Sequence, residues 1–125
     1  MYKKQAVEQL KEYSRARERA DLLAIRKKAL KTRLEDDSNR RTTLAVLERV
    51  EKAIADDKVL MQEVESCLAL LDEKEKCLLW HFYIERTSDY IEILNEKLCV
   101  ERSQIYRLKD KALFKYTILA LGSFY

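Results

Sequence analysis

The chain has no proline and a single glycine, Gly122, in 125 residues. Proline removes a backbone donor and glycine weakens a helix by about 1 kcal/mol, so their scarcity leaves helix uninterrupted over long stretches. Histidine is almost as rare, occurring only as His81. With no second ligand three or four residues away, it argues against a metal site. No nucleophile has a base at useful spacing and no glycine-rich loop can cradle a phosphate, so neither enzyme activity nor a cofactor is expected. Long apolar runs are also missing. The longest patch, around Tyr116 to Leu121, falls far short of the roughly 20 residues of a membrane span, and the N-terminus lacks the apolar run of a signal peptide. The three cysteines, Cys67, Cys77 and Cys99, are an odd number without a C-x-x-C pair. Set among apolar neighbours, they are expected to be reduced core residues of a cytoplasmic protein.

Charge, in contrast, is plentiful. Lys and Arg number 25 against 22 Asp and Glu, and the net charge of +3 does not by itself demand a polyanionic partner. Its distribution says more. Residues 1–35 carry eleven basic residues against five acidic, residues 72–96 carry three against seven, and residues 97–115 carry six against two. Together with abundant Ala, Leu, Glu, Lys and Arg, this predicts an all-α chain.

Residues 1–71 are expected to form long amphipathic helices, a coiled-coil arm that serves oligomerisation. From Tyr2 to about Glu35 the apolar positions Ala6, Tyr13, Ala16, Ala20, Leu23, Leu30 and Leu34 recur mostly at steps of three and four, with Lys27 intruding. Asp36, Asp37, Ser38 and Asn39 prefer turns and caps, so the break is placed there, with Thr42 or Thr43 capping the next helix. That helix, about Thr43 to Leu70, has a cleaner seam in Leu47, Val50, Ile54, Met61, Val64, Leu68 and Leu71, with Asp57 the single polar intruder. Two such helices either fold back as an antiparallel hairpin or pair with a second chain. A lone pair buries little, which favours self-association, a homo-dimer being the expected form. The cluster Arg26, Lys27, Lys28, Lys31 and Arg33 fits a phosphate-tracking surface, but more simply a solvated coiled-coil face.

Residues 72–125 are expected to form a compact helical domain. Asp72 and Glu75 have the spacing of a capping box that opens a helix to about Glu85. Arg86-Thr87-Ser88-Asp89 then breaks the pattern, and Ser88 or Asp89 is placed to cap a short helix. The stretch Leu94 to Leu113, LNEKLCVERSQIYRLKDKAL, has the spacing of a helix, a tight turn and a second helix. Leu94, Leu98, Val100, Ile105, Leu108 and Ala112 fall where two crossing helices bury their contact. That leaves Arg102, Ser103, Gln104, Tyr106, Arg107 and Lys111 on the outer flank. Guanidinium forks suit guanine or phosphate, an amide suits adenine, and hydroxyls suit the backbone, so these six are the candidate DNA-contacting residues. The last helix is expected to run on through Phe114, Tyr116, Ile118 and Leu119 to Gly122.

The Leu94–Leu113 stretch resembles the promoter-reading C-terminal domain of sigma-70-type factors, their region 4. The preceding LDEKEKCLLWHFYIERTSDYIEIL resembles the helix leading into that motif, and the KDKAL ending resembles the family's. With charged helices in front, the chain is similar to the late-gene transcriptional activators of Gram-positive phages and prophages. The resemblance covers roughly Leu71 to Leu113. It implies a sigma-70 region 4-like helix-turn-helix that lays the helix at about 101–113 in the major groove of promoter DNA, and it allows contact with host RNA polymerase. Three positions depart from the pattern. Asn95 stands where a small residue is usual, Cys99 where glycine is usual, and Glu101 where Ser or Thr is usual. A left-handed Cys99 costs roughly 1 kcal/mol more than glycine, and Glu101 suits a helix start but repels a nearby phosphate. A coiled-coil adaptor that binds RNA polymerase or another protein through its sigma-like domain is the alternative. The missing excess of positive charge over residues 72–125 favours it.

Overall fold

A computed structural model of the chain describes residues 2–35 and 39–122. Every regular element among them is helical: α1 (Tyr2–Glu35), α2 (Arg40–Leu68), α3 (Glu73–Leu79), which runs on as a π-helical turn over Trp80–Ile84, α4 (Tyr90–Leu98) and α5 (Arg102–Leu121). No described helix is long and apolar enough to cross a membrane. The expected break at Asp36, Asp37 and Ser38 lies outside the described residues. Asn39 immediately precedes α2 and its carbonyl accepts the Thr43 amide at 3.1 Å. Neither Thr42 nor Thr43 is therefore the cap that the sequence suggests; both lie inside the helix, and Thr43 is buried.

The chain forms two compact units, one of Met1–Ser14 with Glu63–Tyr125, the other of Arg15–Gln62. The boundary expected at 71/72 falls inside the first of these. In the Arg15–Gln62 unit, only Ala16, Leu30, Thr43 and Leu47 are fully buried among the described residues, while Leu22, Ile25 and Val59 are about two-thirds exposed. The polar intruder Asp57 has a partner here. Arg19 donates to both of its carboxylate oxygens, from Nε at 3.0 Å and Nη2 at 2.8 Å, the bidentate geometry that guanidinium and carboxylate favour.

The other unit has the larger interior. Asp72 opens α3 with a complete capping box: its carboxylate accepts the Glu75 amide at 2.8 Å, and the Glu75 carboxylate accepts the Asp72 amide at 3.1 Å. Six buried residues, Leu78, Phe82, Ile91, Leu94, Leu98 and Ile105, form a core to which Val100 and Leu108 add partly buried flanks. The first turns of α1 belong to the same unit. Ala6, Leu10 and Tyr13 are buried, the Tyr13 hydroxyl donates to Glu65 at 2.8 Å, and Ser14 donates to the Ile84 carbonyl at 2.7 Å. From α5, Tyr116 meets them. Tyr116 is fully buried and its hydroxyl donates to Gln9 at 2.6 Å, and burial pushes its ionisation well above the ordinary range. The helix stops at Gly122, whose φ of 76° makes it a left-handed C-cap.

Candidate nucleic-acid interface

The turn between α4 and α5 is three residues long, and each does something different. Cys99 takes φ 54° and ψ 42°, the left-handed conformation that reverses the chain after Leu98. Val100 points into the core. Glu101 is extended, and its carbonyl accepts the amides of Gln104 and Ile105, so it occupies the N-cap position of α5. Its side chain makes no capping hydrogen bond, leaving only the favourable charge of a carboxylate near a helix N-terminus. Asn95 Nδ2 donates to the Val100 carbonyl and ties the end of α4 to the turn. Cys99 is exposed, with Sγ 3.6 Å from the Glu96 carbonyl, and is thus not the core residue that its neighbours suggest. Cys67 is the buried thiol, and desolvation, followed by the nearby Glu63 charge, holds it above its ordinary pKa.

Helix α5 divides into two faces. Ile105, Ala112, Leu113 and Tyr116 are buried and Leu108 is half-buried, whereas Arg102, Ser103, Gln104, Tyr106, Arg107 and Lys111 are all exposed. The six residues singled out in the sequence therefore share the outward half of the helix, but their surroundings differ. Arg102 is held by Glu92 of α4, Nη2 to Oε1 2.9 Å. Arg107 and Lys111 have no carboxylate partner among the described residues. With Asp110, Phe114 and Lys115 they line an open depression of about 680 Å³. Lys115 is ion-paired with Glu75 at 2.6 Å, which raises its pKa.

Tyr106 is half-exposed and meets Phe82 in a T-shaped contact, ring centroids 5.7 Å apart at 77°. Phe82 meets Tyr90 in the same manner at 5.1 Å and 80°. Interaction with the Tyr90 hydroxyl raises the pKa of Tyr106, and Arg86 donates to the Tyr90 hydroxyl at 2.8 Å. Arg86 and Tyr90 were not singled out in the sequence. The only available signal was a basic residue in the break before a helix, and such residues are common. The expected side-chain cap of α4 is also missing: Asp89 holds the N-cap position without capping and instead accepts the Thr87 hydroxyl at 2.7 Å.

His81 lies on the π-helical turn, apart from this face. Its Nε2 is 3.3 Å from Lys97 Nζ, and no group of three His, Cys, Asp or Glu side chains able to hold a metal occurs among the described residues. Comparison of the chain with protein-family models, with curated proteins and with solved structures gives no match.

Proposed function

We propose that the chain is a sequence-specific double-stranded DNA-binding transcriptional regulator of phage or prophage type, acting in the cytoplasm and without enzyme activity. In this reading α4, the Cys99 turn and α5 form a sigma-70 region 4-like helix-turn-helix, with α5 as the helix that enters the major groove of promoter DNA. One observation carries the proposal: Arg102, Ser103, Gln104, Tyr106, Arg107 and Lys111 are exposed on α5 while Ile105 and Ala112 of the same turns are buried. Arg107 is the best candidate for reading a base edge, because no carboxylate competes for its guanidinium. Lys111, one turn further on, suits a phosphate.

The α1–α2 segment serves as a hairpin that brings two copies together. The sparse interior of the Arg15–Gln62 unit and its exposed Leu22, Ile25 and Val59 support a homo-dimer, since two helices with so few buried side chains are marginal on their own. Paired copies would address repeated half-sites.

A second reading, the adaptor that binds RNA polymerase or another protein, draws on a different observation. Leu70, Ile118 and Leu119 are exposed and line an apolar depression of about 310 Å³, a feature that DNA binding does not use. Titration of short duplexes over a salt series separates the two. A DNA reader loses affinity steeply with salt, and Arg107→Ala costs about 1–3 kcal/mol. Absent or salt-insensitive binding would favour the adaptor.

A further inference from the structure

We infer that Arg86 and Tyr90, together with Tyr106, form a clamp for one phosphodiester group of the duplex backbone. The inference rests on the reading of α5 as a DNA-contacting helix and adds a second element, the entrance of α4, to the contact.

The cluster is built from the core outward. Phe82, 6 % exposed, meets both Tyr90 and Tyr106 in T-shaped ring contacts. Those contacts fix both phenol rings beside Phe82. Arg86 is then anchored twice on Tyr90: Nη2 donates to the hydroxyl at 2.8 Å, and the guanidinium carbon lies 4.4 Å from the ring centroid. A guanidinium seated on an aromatic ring has already lost most of the rotamer freedom that binding would otherwise remove. Its charge is not spent internally, for Arg86 has no carboxylate partner among the described residues; the nearby Asp89 is engaged by Thr87.

The chemistry that a guanidinium and two phenol hydroxyls recognise is a singly charged oxyanion with more than one acceptor oxygen. The phosphodiester fits, because a guanidinium fork can bind two of its oxygens while a hydroxyl donates to one. A base edge fits poorly. Arg86 and Tyr90 lie at the start of the helix that precedes the proposed reader, which in such docking runs along the backbone rather than in the groove. The contact should therefore add affinity without sequence preference.

The test uses the full chain and fluorescence anisotropy with a panel of short labelled duplexes of different sequence, for the wild type, Arg86→Ala, Arg86→Lys, Tyr90→Phe and Arg107→Ala. Circular dichroism checks that each variant is folded. Arg86→Ala should lower affinity about five- to tenfold for every duplex, and should reduce the slope of log affinity against log salt by about 0.9, the value for one phosphate contact. Arg86→Lys should keep the slope but lose affinity, and Tyr90→Phe, which keeps the ring, should lose about two- to threefold. The ranking of duplexes should survive all three changes and be altered only by Arg107→Ala. Arg86→Ala and Tyr90→Phe variants that match the wild type in affinity and slope, while Arg107→Ala weakens binding, would overturn the clamp and leave the reading of α5 intact. A wild type that binds no duplex would end both.

Discussion

Arg102 reaches from the first turn of α5 to Glu92 on α4, closing an ion pair of 2.9 Å between two exposed side chains. The pair lies on the face proposed to approach DNA, so its carboxylate competes with phosphate for the same guanidinium. Exposed pairs contribute little to folding, roughly 0.2–1 kcal/mol. Glu92→Gln should therefore leave the urea midpoint nearly unchanged while raising duplex affinity about three- to tenfold at low salt, through the loss of one repelling charge and the release of Arg102. The gain should shrink as salt is added. Equal affinities for wild type and variant at low salt would remove Arg102 from the contact surface.

The turn stores strain and offsets part of it locally. Cys99 is the one non-glycine residue with positive φ among the described residues, and Asn95 bonds across the same turn to the Val100 carbonyl. Cys99→Gly should stabilise the chain by about 1 kcal/mol, because relief of the left-handed strain exceeds the extra entropy of an unfolded glycine. Asn95→Ala should cost about 1 kcal/mol, one net hydrogen bond. Denaturation midpoints measure both. A destabilised Cys99→Gly would mean that the thiol's contact with the Glu96 carbonyl matters more than the backbone.

Asp57 interrupts an otherwise apolar seam, yet it is only 15 % exposed and receives both donors of Arg19. Removing one partner strands the other's charge, whereas replacing both with apolar groups does not. Arg19→Leu, which strands the less exposed carboxylate, should cost about 1–3 kcal/mol, Asp57→Leu should cost less because Arg19 is 41 % exposed and can hydrate, and the double variant Arg19→Leu, Asp57→Leu should recover most of the loss. Urea denaturation of the two single variants and the double variant gives the coupling. Additive losses would show that the two groups do not depend on each other.

The seam that contains Asp57 also shows how far the sequence could be read. Helical periodicity, the capping box at Asp72 and Glu75, the left-handed turn at Cys99 and the stop at Gly122 all depend on residues close together in the chain, and each was legible. So was the outward flank of α5, since the spacing that buries Ile105 and Ala112 leaves Arg107 and Lys111 outside. What escaped depends on contacts between distant segments. Leu10 was passed over in a repeat read from Ala6 to Tyr13, and its burial comes with the packing of the first turns of α1 in the same unit as α5, marked by the Gln9–Tyr116 bond. The partner of Asp57 lies 38 residues away. Arg86 and Tyr90 acquire meaning only once Phe82 and Tyr106 stand beside them, and no local pattern announces that meeting.

His81 makes the stability of the chain depend on pH in a defined direction. Its Nδ1 is buried without a hydrogen-bond partner and its Nε2 faces Lys97. Desolvation first, and then the Lys97 charge, hold its pKa below the ordinary 6.5, with Glu85 pulling weakly the other way. The folded chain thus resists a proton that the unfolded chain accepts near pH 6.5, so acid favours unfolding. This contribution to stability is intact well above 6.5, declines as the pH falls through it, and levels off below the folded-state pKa. Because the chain has no other histidine, the fall in urea midpoint between about pH 7.5 and about pH 5.5 should trace to this one side chain, carboxylates taking over only at lower pH. His81→Gln should flatten that part of the profile. If the variant loses stability over the same interval as steeply as the wild type, the imidazole is not the group that takes up the proton.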